Sequence, residues 1–130
     1  MDERNNIYLE DADKLRRACL LIDEFRKENP RMELQTVVTF LTVATLLNER
    51  QDRPTYVGEL SEVIGITKTA ASRNVRYLTI HGSLNSPALR EKEGLNWLEL
   101  NEDPRHRSRK IITLTSKGRK ALTSLKFLMN

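Results

Sequence analysis

Apolar residues recur at helical spacing in five stretches of this chain and alternate in two more. Asp11–Lys27 is the first. Ala12, Leu15, Cys19, Ile22 and Arg26 follow the 3.6-residue period, with Ala18, Leu21 and Phe25 in a second row beside them. So wide an apolar arc predicts burial on two sides, one against a core and one against a partner subunit. Asn29-Pro30 ends the pattern. Glu33–Asn48 predicts a second helix with Leu34, Val37, Val38, Leu41, Ala44 and Leu46/Leu47 on its apolar face. Thr55–Ile64 predicts a short third helix with Val57, Leu60, Val63 and Ile64 turned inward, closed by a turn at Gly65-Ile66.

Thr67 then stands where an N-cap is needed, its hydroxyl available to a free amide of the first turn. Ala71, Val75 and Leu78 follow as a buried stripe, and Lys68, Thr69, Ser72, Arg73 and Arg76 lie on the opposite side. His81-Gly82 closes this fourth helix. Residues 82–96 are irregular, punctuated by Ser, Pro and Asn. Trp97–Leu100 and Lys110–Leu114 alternate as strands, joined by a polar loop over Asn101–Arg109. Thr115 or Ser116 caps a last helix reaching about Leu128, with Ala121, Leu122, Leu125 and Leu128 on one side.

The order is helices, a Gly-marked turn, a helix with a polar outer face, then a hairpin with an arginine-rich tip. This is the plan of a winged helix-turn-helix, mainly α with a small β-hairpin wing, in one domain over residues 1–130. One helix suits a DNA major groove and the basic wing suits the backbone or minor groove. The expected DNA-binding residues are Thr67, Lys68, Thr69, Ser72, Arg73 and Arg76 on the helix, with Arg105, Arg107, Arg109 and Lys110 in the wing.

The charge distribution supports that placement. The chain carries a net +4, unevenly: residues 1–53 hold 9 Lys and Arg against 11 Asp and Glu, net −2, while residues 54–130 hold 13 against 7, net +6. The half with the helix-turn-helix pattern therefore carries the positive charge that phosphate contacts require.

Other chemistry finds little footing. One cysteine permits no intrachain disulfide. Lying on the apolar stripe, Cys19 is expected to be buried as a small hydrophobe rather than to act as a redox sensor. The polar N-terminus is not that of a signal peptide. The longest apolar stretch, Val37–Leu47, falls short of the ~20 residues that cross a bilayer. A cytoplasmic protein with no membrane partner is expected. His81 and His106 lack ligand-spaced neighbours, so no metal site is expected. No Gly-rich phosphate loop or nucleophile–base pairing suggests an enzyme, and no cofactor is implied. Trp97 is expected to pack the wing onto the core rather than to stack on a base.

The residues ELSEVIGITKTAASRNVRYL, GLNWLELNEDP and RKIITLTSKGRKAL resemble the MarR family of winged helix-turn-helix transcriptional regulators over about Leu34–Ala121. The wing exit, Leu114-Thr115 followed by Ser-Lys-Gly, is the most family-like piece. The resemblance implies a homodimer on double-stranded DNA. Terminal helices 11–28 and 116–128 would interlock, and two recognition helices would reach successive major grooves of a near-palindromic operator. Carried over by position, Lys68, Thr69, Ser72 and Arg73 would face the groove, and Arg105, Arg107 and Arg109 would belong to the wing.

The chain departs from the family pattern in three ways. Aligned on Leu114-Thr115, the places of the family's wing Asp-x-Arg hold His106 and Ser108, so that ordering device is expected to be missing. Residues 82–93 are inserted before Gly94-Leu95, and the chain ends at Asn130 where members commonly continue. The resemblance specifies no small-molecule effector. Two other readings fit the elements: a winged-helix module that binds protein, and an architectural DNA-binding protein without sequence preference.

Overall fold

The computed structural model describes residues 3–80 and 94–130, with side chains from Ala12 onward. The fourth helix ends at Leu78 with Thr79 as its C-cap, earlier than the closure expected at His81-Gly82; His81, Gly82 and the rest of the 82–93 insertion lie outside the described residues. The elements are α1 (Glu3–Glu28), α2 (Leu34–Glu49), a 3₁₀ turn (Val57–Glu59) running into α3 (Leu60–Ile64), α4 (Lys68–Leu78), β1 (Leu98–Asp103), β2 (His106–Leu114) and α5 (Ser116–Met129). This is a mainly helical winged helix-turn-helix with a two-stranded antiparallel hairpin. Among the described residues no helix is long and apolar enough to cross a membrane.

Three rings form the centre of the core. Phe25 of α1, Phe40 of α2 and Trp97, just ahead of β1, are buried with centroids 6.0, 5.5 and 4.9 Å apart in tilted and edge-on pairings. Such pairs add roughly 0.5–1.5 kcal/mol each beyond the area they bury. Around them pack Val43, Leu60, Val75, Leu78, Leu98, Ile112 and Leu125. The expected packing role of Trp97 is therefore what the fold shows.

Several expectations are corrected. α1 begins at Glu3, not Asp11. Of its apolar arc only Phe25 and the half-buried Leu21 reach the core. Leu15, Leu20 and Ile22 are exposed, and so is Cys19, contrary to its expected burial. On α2 the expected Val37, Ala44 and Leu46 are buried and Leu41 and Leu47 pack against the core, but Leu34 and Val38 are outside, and Thr36, Thr39, Phe40 and Val43 are inside as well. Threonine is tolerated there because its hydroxyl finds an acceptor. Thr39 donates to the Gln35 carbonyl at 2.7 Å and Thr36 to Asn74 Oδ1 at 3.1 Å. Val63 of α3 is also exposed.

Thr55 and Tyr56 are not helical. The Ile112 amide donates to the Thr55 carbonyl at 2.9 Å, and Tyr56 bridges Ile111, so this short segment lines the outer edge of the hairpin. A Thr ahead of periodic apolar residues imitates a helix start, and the long-range partner that overrides it is invisible locally.

The hairpin is also longer than the alternation suggests. β1 runs on to Asp103 and β2 starts at His106, with a bulge between Glu102 and Asp103 and a turn at Pro104-Arg105. Arg107 and Arg109 are consequently strand residues, joining Lys110, which is expected there, and only Arg105 sits in the turn. Charged, fully exposed strand positions read as loop because they show no hydrophobic alternation.

Two glycines are required by geometry. Gly65 has φ +82° at the turn between α3 and α4, a region L side chains rarely adopt. Gly118, in the first turn of α5, lies against the Trp97 backbone: an added Cβ would fall 2.0 Å from the Trp97 carbonyl oxygen. The Thr115 hydroxyl accepts from the Gly118 amide at 2.9 Å and donates to the Asn96 carbonyl. The Leu-Thr-x-x-Gly pattern thus joins the end of β2, the start of α5 and the base of β1 at one point. Gly118→Ala should therefore destabilise the fold by at least about 1–3 kcal/mol, the usual cost of overpacking a tight site. Denaturant unfolding measures this, and unchanged stability would contradict the close approach.

Candidate nucleic-acid interface

The fourth helix forms as its sequence predicts. Thr67 is extended (φ −69°, ψ 156°) and its hydroxyl accepts from the Ala70 amide at 3.1 Å. Ala71, Val75 and Leu78 are buried, and so is Asn74, a polar residue that the apolar stripe does not reveal. The opposite side presents Lys68, Thr69, Ser72, Arg73 and Arg76, all exposed. Every one of these helical residues expected at the interface is thus on the outer face.

Arg73 and Ser72 lead to different flanks. Arg73 leans toward the α1–α2 connection, where its Nη2 lies 3.8 Å from a Glu33 carboxylate oxygen. Both side chains are largely exposed, so the pair contributes little stability. Ser72 and Lys68 line a groove of about 720 Å³ shared with the wing residues Ser108, Arg109 and Lys110 and with Arg53. Sequence pattern gives no sign of Arg53, because it sits in a polar loop before the bridge. Arg76 lines a separate hollow of about 650 Å³ with Asn96, Glu99 and Arg119.

The wing is ordered by Asp103, the first residue of an Asp103-Pro104-Arg105 unit that an alignment on Leu114-Thr115 passes over. Asp103 is buried; its carboxylate accepts from the Tyr56 hydroxyl at 2.7 Å and from the Arg105 amide at 2.9 Å. Arg109 places its guanidinium 5.4 Å from the centre of the Tyr56 ring, a cation–π distance. Lys110 pairs with Glu102 across the strands at 3.1 Å. Positions 106 and 108 hold His and Ser, but the wing does not lack an ordering aspartate: Asp103, in the Asp103-Pro104-Arg105 unit, holds the turn through the Arg105 amide. Arg107 and Arg109 are two apart on β2 and so share a face of the strand.

These contacts shift both partners. The Tyr56 hydroxyl, then the Arg105 amide, stabilise the ionised carboxylate and hold Asp103 below the ordinary aspartate range. The same hydrogen bond, together with burial and the negative charge, raises Tyr56 above the ordinary phenol value. Because the folded pKa of Asp103 is depressed, its contribution is complete above the unfolded value of about 3.9 and is lost as pH falls through the lower folded value. Because that of Tyr56 is raised, its contribution is complete below about pH 10 and is lost only above it.

Among the described residues no group of three or more His, Cys, Asp and Glu is arranged to hold a metal ion. Fold and site together define a winged helix-turn-helix whose fourth helix has an exposed polar face beside a basic wing. No family model matches the chain, and no curated protein matches it. Among solved structures it is similar to the heme sensor protein PefR from Streptococcus agalactiae in complex with heme. The TM-score is 0.53 and the identity 18%, over 88% of this chain and 72% of that one. At that identity the likeness establishes the shared winged-helix fold.

Following the Asp103 carboxyl carbon by NMR should give a midpoint below that of an ordinary aspartate. Tyr56→Phe should move it upward toward the ordinary value. An Asp103 midpoint indifferent to the Tyr56 hydroxyl would contradict the contact.

Proposed function

We propose that this protein is a dimeric, sequence-specific double-stranded DNA-binding transcription regulator. The observation that supports the reading best is the outer side of α4: Lys68, Thr69, Ser72, Arg73 and Arg76 are all exposed, on a helix capped by Thr67 that shares a groove with Arg109 and Lys110 of the wing. Affinity comes from phosphate neutralisation by Lys68, Arg53, Arg105, Arg107, Arg109 and Lys110, and specificity from base edges met by Thr69, Arg73 and Arg76. The five outer positions hold no apolar side chain, which disfavours use of this helix as a protein-packing surface. The heme of the PefR complex belongs to that protein, and no effector is assigned from it.

The dimeric reading is supported by side chains that a single chain leaves uncovered: Leu15, Leu20 and Ile22 on α1, and Phe127 and Met129 on α5, the two terminal helices. Two-fold pairing through them would present two recognition helices to half-sites about 34–36 Å apart. Light scattering at micromolar concentration should report a dimer, and Leu15→Glu with Ile22→Glu should shift it to monomer. A strict wild-type monomer would remove the two-fold operator.

Affinity measured against salt tests the interface itself. Replacing Arg105, Arg107 and Arg109 with alanine should leave the fold intact, since all three are exposed. It should flatten the log–log salt slope by up to about 0.9 for each phosphate no longer neutralised. Arg73→Ala should cost about 1–3 kcal/mol on a preferred site and relax one position per half-site. Equal affinities and parallel salt lines for wild type and triple variant would exclude the wing from the interface.

A further inference from the structure

Among the described residues, Arg109 is the cation that rests over an aromatic ring. Its guanidinium carbon lies 5.4 Å from the centre of the Tyr56 ring, within the ~6 Å reach of a cation–π contact. Tyr56 does not belong to the wing. It stands between Thr55, whose carbonyl accepts from the Ile112 amide at 2.9 Å, and the 3₁₀ turn that opens α3. Its backbone bridges Ile111, its amide donates to Glu59 Oε1 at 3.2 Å, and its hydroxyl donates to Asp103 at 2.7 Å. Glu59 is itself paired with Arg50, at the end of α2. The ring is thus tied at its backbone to the helices and at its hydroxyl to the wing turn.

A guanidinium placed in this way differs from its neighbours. Arg105 is fixed through its backbone amide alone, which leaves its side chain to be ordered on binding. The ring under Arg109 reduces that entropy cost before any partner arrives, and it leaves the in-plane N–H donors of the guanidinium available. Arg109 also lines the groove of about 720 Å³ that the wing shares with Lys68 and Ser72 of α4. Of the wing arginines named for DNA contact, it is the one set at a fixed place beside the fourth helix.

We propose that Tyr56 is a positioning residue: it fixes the Arg109 guanidinium so that this arginine, rather than Arg105 or Arg107, reads the minor groove next to the segment that α4 occupies. A narrow groove concentrates negative potential on an inserted arginine, whereas a guanine 2-amino group there meets the guanidinium donor to donor. The charge of Arg109 still counts toward the salt dependence. The groove role rests on the DNA-binding reading; the placement of Arg109 by Tyr56 in the free protein does not.

The test uses the full chain and two matched alternating duplexes, dI–dC and dG–dC, at equal ionic strength. They present the same major-groove edges and differ by the guanine 2-amino group in the minor groove. Wild type should bind dI–dC several-fold more tightly. Arg109→Ala, at an exposed position, should fold normally and lose that preference. Tyr56→Leu should lose it too, Tyr56→Phe should retain most of it because the ring is kept, and adding Arg109→Ala to Tyr56→Leu should cost no further preference. In the free protein the Arg109 Cδ and Nε protons should lie upfield through the Tyr56 ring current, in Tyr56→Phe as in wild type, and move downfield in Tyr56→Leu.

A preference that survives Arg109→Ala, or a wild type that binds both duplexes equally, overturns the groove role of Arg109. Equal losses on both duplexes from Tyr56→Leu make Tyr56 a structural residue and overturn its positioning role. Where Tyr56→Leu fails to fold, the absence of an upfield shift at Arg109 in the wild type overturns that role instead. Binding to neither duplex at low salt overturns the DNA-binding reading, and the ring-current shift then still decides whether Tyr56 places Arg109.

Discussion

Three buried rings set the relation between the parts. Phe25 belongs to the long first helix, Phe40 to the second, and Trp97 to the segment entering the wing. Their mutual packing holds the base of the hairpin against α1 and α2. Gly118 then lets α5 start in direct contact with the Trp97 backbone. Interiors are close-packed and deform little, so the wing and the terminal helices are fixed in one frame. The fourth helix joins that frame through Val75 and Leu78, which belong to the same core. The angle between α4 and the wing, on which any groove contact depends, is therefore a property of the core and not of the surface.

On this frame the electrostatics are arranged at short range. Arg105, Arg107, Arg109 and Lys110 would repel one another in a free loop. Here two of the four charged groups are drawn into local contacts, and the backbone of a third residue is fixed. The Arg105 backbone is tied to Asp103, Arg109 lies over Tyr56, and Lys110 meets Glu102. The hydrogen bond between Tyr56 and Asp103 links the bridge segment before α3 to the wing turn, so the basic strand is held in place before any anion arrives. Pre-ordering of this kind reduces the entropy cost of association.

Much of this is legible in the chain, and the rest is hidden for identifiable reasons. The Thr67 cap, the Ala71/Val75/Leu78 stripe and the Gly65 turn are local features, and local features survive into the fold. The hairpin's true length is hidden because exposed, charged strand residues such as Arg107 and Arg109 carry no alternation. Thr55-Tyr56 imitates a helix start because its partner, Ile111-Ile112, is more than fifty residues away. Asp103 is legible as the start of Asp103-Pro104-Arg105, but an alignment on Leu114-Thr115 puts the family unit at 106–108 and passes over it. Asn74 escapes because periodicity counts apolar residues, and a buried amide held by Thr36 leaves no such mark. Cys19 is placed inside by the same apolar arc that, in a single chain, has nothing to cover it.

The central claim is that α4 reads sequence while the two-fold repeat of the protein sets the spacing. Selection of bound duplexes from a random DNA pool tests it most directly. The account predicts enrichment of a near-palindrome whose half-sites are separated by about one helical turn, ~10–10.5 base pairs. Binding without enrichment of any sequence would contradict it.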